Sequence, residues 1–106
     1  MRTDYDLVQH IKDKMEFSEK AFGPGSRVNG ILDHITKELI EVEENPNDLE
    51  EWIDLISLAL DGAWRQGFSP IEIAFKLRNK LEKNINREWP DWRKADPNKA
   101  IEHLKS

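Results

Sequence analysis

Four carboxylates in this chain stand at spacings that can do chemistry: Glu38-x-x-Glu41 and Glu51-x-x-Asp54. On a helix, residues three apart lie about 5–6 Å from each other. Two charges at that distance repel by about 3 kcal/mol at an effective dielectric near 20. Protonation relieves that repulsion, as do paired Arg or Lys side chains. A hard divalent cation such as Mg²⁺ or Mn²⁺ relieves it most directly, because it takes several oxygen ligands. A second set of residues has the opposite sign. Lys76, Lys80, Lys83 and Arg87 recur on one helical face, with Asn84 at its border. Carboxylates that hold metal and cations that hold phosphate are the parts of a phosphoryl-transfer site. Each motif alone is more often a solvated surface. What gives the acids weight is their joint placement beside apolar stripes on two consecutive helices.

Those helices follow from the punctuation of the chain. A first amphipathic helix is expected from about Tyr5 to Phe22, with Leu7, Val8, Ile11, Met15 and Phe22 as its apolar positions, ending at Gly23-Pro24-Gly25. The loop FGPGSRVNG leads to a second helix, roughly Leu32 to Glu44, and Asn45-Pro46 turns the chain. Asn47 with Glu50 three residues later reads as a capping box, opening a third helix that ends near Gly67. Ser69-Pro70-Ile71-Glu72 starts a fourth helix strongly, and this one should reach about Arg87. WPDWR breaks it, and Asp96-Pro97 can cap one short terminal helix. Long alternating β-branched runs are missing. The expected class is all-α, a bundle of four main helices plus a short C-terminal helix.

At about 100° per residue, Ile31, Ile35, Leu39 and Val42 line one stripe of the second helix, and His34, Glu38 and Glu41 run along its margin. On the third helix Trp52, Leu55, Ile56, Ala59, Leu60 and Ala63 form a broad apolar arc, widened by Ile53 and Trp64. Glu51, Asp54, Asp61 and Arg65 occupy the narrow remainder, interrupted by Leu58. Asp61 and Arg65, four apart, can also simply form a helix salt bridge. His34 stands one turn before Glu38, where it can either hydrogen-bond the site or serve structure. Trp89, Trp92, Phe17 and Phe22 can stack on a base or close a small core.

Composition narrows the setting. The 106 residues carry a net charge of −5, 35% charged and 38% hydrophobic residues, and no cysteine. One domain spanning 1–106 is expected. The acidic balance argues against binding polymeric nucleic acid or a membrane surface. Disulfides and thiolate metal sites are excluded, which fits a reducing cytosol. No apolar run resembles a signal peptide or approaches the roughly 20 residues of a membrane span. A core completed between subunits would reconcile so polar a chain with helices apolar on several sides.

Taken together, Glu38-x-x-Glu41, Glu51-x-x-Asp54 and Lys80-x-x-x-Asn84-x-x-Arg87 resemble the MazG-like all-α nucleoside triphosphate pyrophosphohydrolases. The longer segments FSEKAFGPGSR, LDHITKEL, EWIDLISLALDGAWRQGFSP, NREWPDWR and KAIEH are similar to one branch, the MazZ-like dATP/dGTP diphosphohydrolases of phages and prophages. That likeness covers nearly the whole chain after residue 16. Lys37 stands where many MazG-like members have the first of two adjacent glutamates, and the gap from Glu41 to Glu51 is short.

The resemblance implies a helical bundle assembled from subunits, a homodimer or homotetramer. It also implies hydrolysis of purine deoxynucleoside triphosphates, dGTP and dATP first, to monophosphate and pyrophosphate. Glu38, Glu41, Glu51 and Asp54 would hold two or three Mg²⁺ ions, with Mn²⁺ as a substitute, and Glu38 or Glu41 would take the proton of the attacking water. Lys80 and Arg87 would bind phosphate oxygens, and Asn84 sugar or phosphate. Asp61 would be an outer metal ligand or a sugar contact. Arg27, in the glycine-rich loop, can reach a phosphate, though the loop can equally be a plain connection. In a phage setting the reaction would reshape the nucleotide pool of the host cytoplasm. Two other classes compete with the enzyme: a non-catalytic helical interaction protein, and a nucleotide sensor that has lost the chemistry.

Overall fold

A computed structural model describes residues 4–104. Among them are four α-helices and no strand: α1 (Leu7–Phe22), α2 (Val28–Glu44), α3 (Leu49–Arg65) and α4 (Pro70–Ile85). The chain divides into two compact units, residues 1–74 and 75–106.

In the first unit, Asp6 caps α1 by accepting from the Gln9 backbone N–H, and Gly23 at φ 83° ends the helix. α2 begins four residues before the expected Leu32. Val28-Asn29-Gly30 looks like loop sequence, but its extra turn brings Ile31 onto α3, where it is buried and packs over Gly62. Tertiary burial here outweighs weak local propensity. The start of α3 also differs from expectation. Asn47 lies inside a turn closed by the Asp48 N–H donating to the Asn45 carbonyl, and Asp48 is the cap, accepting from the Glu50 N–H at 3.0 Å. Glu50 is therefore a capped residue instead of half of a capping box. α4 opens as expected: Ser69 Oγ accepts from the Glu72 N–H, and Glu72 Oε1 accepts from the Ser69 N–H, both at 3.1 Å.

α2 packs along α3, and α1 packs on α3 over a shorter contact. Ile31 beside Gly62, and Glu38 and Glu41 beside Glu51, show that α2 and α3 run antiparallel. Ile11, Ile31 and Val42 are the buried apolar residues among those described. Much of the broad arc of α3 is not covered within one chain: Trp52, Ile53 and Ile56 remain 47%, 48% and 55% exposed.

In the second unit, α4 ends at Ile85, two residues before Arg87. The short helix comes earlier than Asp96-Pro97. It is a single 3-10 turn, Trp92–Lys94, capped by Asp91. Asp96 closes only a turn, through Asn98 and Lys99. Beyond that turn the Leu104 N–H donates to the Glu88 carbonyl at 2.8 Å, tying the segment back toward the end of α4 instead of continuing as a helix. No described helix is long and apolar enough to cross a membrane.

Candidate functional site

The antiparallel pairing of α2 and α3 faces one acidic margin with the other. Glu38 and Glu41 lie one turn apart on α2, and Glu51 lies in the first turn of α3. One carboxylate oxygen from each falls within 4.8 Å of the others. The Glu38 side chain is only 12% exposed. Glu38 Oε2 and Glu51 Oε2 are both buried without a hydrogen-bond partner. Buried acceptors left unpaired are costly, and a cluster of carboxylate oxygens of this kind fits a hard divalent cation. Asp54 is outside the trio, one turn further along α3, on the wall of an adjoining cavity that Glu38 also lines.

Glu51 shows the cost of this convergence. Its pKa is pushed up to about 7, chiefly by burial, then by the hydrogen bond with Glu41 and the charges of Glu41, Glu38 and Asp48. Below its ordinary value of 4.5, the folded and unfolded chains both hold this proton. Between there and about 7, the folded chain keeps a proton that unfolding releases, so the stability of cation-free protein should fall as pH rises through that window. A divalent cation competes for the same oxygens, so Mn²⁺ should bind more tightly as pH rises and should release protons. Melts of EDTA-treated protein from about pH 5 to about 8, with and without Mn²⁺, check both statements. A cation-free stability that climbs across the window would contradict them.

The cavity, about 490 Å³, is walled by α1, α2 and α3 and the α1–α2 loop. Phe17 and Phe22 line it, their rings edge to face with centroids 6.1 Å apart, and both are largely exposed. They do not close a core. His34 Nε2 lies 3.5 Å from Glu38 Oε1 on the same wall. Arg27 also lines it. Its backbone is left-handed at φ 48°, a strained conformation for a residue with a side chain. Its guanidinium lies over the Phe22 ring at 5.8 Å, close above Gly30. A Cβ at Gly30 would stand 3.0 Å from Arg27 Nη2, so a bare backbone there makes room for the guanidinium.

Asp61 is a cavity residue whose two oxygens are already engaged. Oδ1 accepts from Trp64 Nε1 at 2.8 Å and Oδ2 from Arg65 Nε at 3.2 Å. Burial alone would raise its pKa, but hydrogen bonds with Ser18 and Trp64 and the charges of Arg65 and Lys14 hold it below the carboxylate range. The Arg65 side chain is wholly buried. Nη1 donates to the carbonyls of Gly23 and Gly25, each at 2.9 Å, and Nη2 to the Ser18 carbonyl and hydroxyl at 3.1 and 2.8 Å. With the Asp61 bond, all five guanidinium donors are used. The salt bridge read from the four-residue spacing is thus the inner edge of a larger knot tying α3 to the end of α1 and its loop.

Two further cavity residues were missed from the sequence. Lys14 is half-buried and donates to the Ser57 hydroxyl, and both line the cavity. The signal was present but weak: Ser57 lies between Asp54 and Asp61 on the same stripe of α3, and Lys14 shares a face of α1 with Phe17.

In the second unit, the Arg87 guanidinium donates to Asn84 Oδ1 at 2.9 Å. Lys80 is held below the usual lysine range, first by the Arg87 charge, then by burial, Lys83 and Lys76. That is a concentration of cations suited to an anion. Trp89 donates to the Asn84 carbonyl at 2.7 Å and meets His103 edge to face, whereas Trp92 is exposed. Trp89 therefore has a local packing role.

Neither curated proteins nor solved structures gave a match. A family model described as dATP/dGTP pyrophosphohydrolase matches residues 10–106, the segment that carries the acid cluster, the cavity and the basic helix. By that match over nearly its whole length, the chain belongs to the dATP/dGTP pyrophosphohydrolase family, a MazG-like group of all-α nucleoside triphosphate pyrophosphohydrolases.

Proposed function

We propose that the chain, acting as one catalytic domain, hydrolyses dGTP and dATP at the α-phosphorus with Mg²⁺ as its cofactor. Water oxygen bonds to the α-phosphorus, the bond to the α–β bridging oxygen breaks, and the products are the deoxynucleoside monophosphate and pyrophosphate. The observation that carries this reading is the meeting of Glu38, Glu41 and Glu51 with two unpartnered buried oxygens.

Glu38, Glu41, Glu51 and Asp54 would hold the cations, and Mn²⁺ has the same preference for oxygen ligands. When bound, the metal supplies Lewis acidity toward the phosphoryl oxygens and neutralises the triphosphate. Of the two candidates for general base, Glu38 lines the cavity and Glu41 is exposed, so Glu38 is the better placed to take the water proton. Lys80 and Arg87 bind phosphate oxygens, and Asn84, held by Arg87, binds sugar or phosphate. Arg27 reaches a phosphate or the base from the cavity rim, and Asp61 fixes the wall through Arg65 and Trp64. In a phage setting this would alter the purine deoxynucleotide pool of the host cytoplasm.

The exposed apolar arc of α3 supports assembly as a homodimer or homotetramer; sedimentation as a monomer would contradict that part. Incubation with dGTP and Mg²⁺ in ¹⁸O-water should yield dGMP and pyrophosphate in equal amounts, with the label in dGMP. Orthophosphate release, or label in pyrophosphate, would overturn the proposed bond cleavage.

A further inference from the structure

The cavity has a direction. Along α2, Glu38 and Ile31 are seven residues apart, about 10 Å of helix rise. Glu38 marks its acidic end, beside Glu41 and Glu51. Ile31, Arg27 and Phe22 mark the other, beside Gly62. If the triphosphate lies at the acids, as the proposed function has it, the base lies toward the aromatic rings. Ser57 stands between these ends, one turn from Asp54 and one turn from Asp61, and Lys14 is held against it.

An ammonium in that position is unexpected on packing grounds alone. Burial pulls Lys14 below the ordinary lysine value, and the Asp61 charge offsets this only in part. Ser57 takes one of its three donors, and no other hydrogen-bond partner of Lys14 is found among the described residues. With the triphosphate assigned to the acidic end, Lys14, held against Ser57 on the way to the aromatic end, is left with the neutral acceptors of the nucleoside. On its major-groove edge a purine offers N7 and, in guanine, O6 as neutral acceptors, the groups that lysine and arginine bind there by hydrogen bonding. Adenine carries an amino group in place of O6. A serine hydroxyl serves either, because it both donates and accepts.

We propose that Lys14 is a specificity-determining residue of this pyrophosphohydrolase: held by Ser57, its ammonium donates to N7 of the bound purine, while the Ser57 hydroxyl meets the 6-substituent. N7 is common to dATP and dGTP and absent from pyrimidines, so one lysine admits both purines and disfavours dCTP and dTTP. This rests on the pyrophosphohydrolase reading of the same site.

The test compares dGTP and dATP with their 7-deaza analogues, which lack the N7 acceptor and are otherwise alike. Wild-type kcat/KM should be about tenfold lower for each analogue, the loss of one hydrogen bond from a charged donor. In Lys14→Met the parent substrates should lose about that factor and the preference over the analogues should vanish. Equal wild-type activity on dGTP and 7-deaza-dGTP overturns the proposal, as does a preference that survives in Lys14→Met. A purely structural Lys14 would lower every substrate alike and leave the preference intact. If Lys14→Met does not fold, equal wild-type activity on parent and analogue still overturns the proposal, and Lys14→Gln takes the place of the methionine variant. Should wild type fail to convert dGTP at all, the underlying reading falls; should it convert dGTP and 7-deaza-dGTP equally, only the role of Lys14 falls.

Discussion

Glu38→Gln should lower dGTP turnover by roughly a hundred- to ten-thousandfold, the range for removing a general base, while the folded protein becomes no less stable. Glutamine keeps the shape of glutamate but can neither take a proton at this pH nor offer a charged oxygen to a cation. The stability arm follows from the surroundings. The Glu38 charge is one of the causes that push Glu51 up to about 7. Removing it lightens a cluster that also holds two unpartnered buried oxygens. Cation-free Glu38→Gln should therefore melt at or above the wild-type temperature while losing its activity. Such opposed signs mark a residue kept for function at a cost in stability. Normal turnover in this variant, and in Asp54→Asn, would remove the acids from the proposed chemistry.

Arg65→Met should act in the reverse way, first on the fold. Methionine fills much of the volume but leaves Asp61 as a buried carboxylate without its cation. It also strips donors from the carbonyls of Gly23, Gly25 and Ser18. Breaking a buried charged pair on one side costs about 3–5 kcal/mol, a large share of the 5–15 kcal/mol that holds a typical domain. In a chain of this size that corresponds to a loss of at least about 12 °C in Tm, measurable by calorimetry. Arg65→Lys should recover little, since one ammonium cannot reproduce a planar fork with five donors. A shift of only a degree or two in Arg65→Met would show that the knot is not needed. There is also a pH signature. The Asp61 pKa is depressed in the folded chain, so its contribution is present above the ordinary carboxylate value and is lost as pH falls through the folded one.

The contrast between these residues shows what the sequence made legible. Spacing along one helix was enough to pair Glu38 with Glu41 and Glu51 with Asp54. Antiparallel packing across a short turn did the rest for the first three. The Ser69-Pro70-Ile71-Glu72 start was readable because both hydrogen bonds of that cap are local. Asn47 and Asp48 are both good caps, and only the turn that absorbs Asn47 decides between them. The early start of α2 depends on burying Ile31 against another helix, which no local pattern reports. Arg65 was legible only as far as Asp61, four residues away. Its remaining partners are 40 to 47 residues distant in the chain. Lys14 escaped for the same reason: its partner Ser57 lies 43 residues away.

The connection between α2 and α3 is only residues 45–48, and that brevity sets an order in time. A helical hairpin with so short a link closes early and at small entropic cost, because its contacts are local. The Glu38–Glu41–Glu51 cluster belongs wholly to that hairpin. The cavity rim does not. Gly23 and Gly25 are held by Arg65 at the far end of α3, 42 and 40 residues along the chain, a contact with a higher loop-closure cost. The acids that would gather metal are thus assembled by nearest neighbours, and the wall that would judge the substrate is completed later, by a long-range closure.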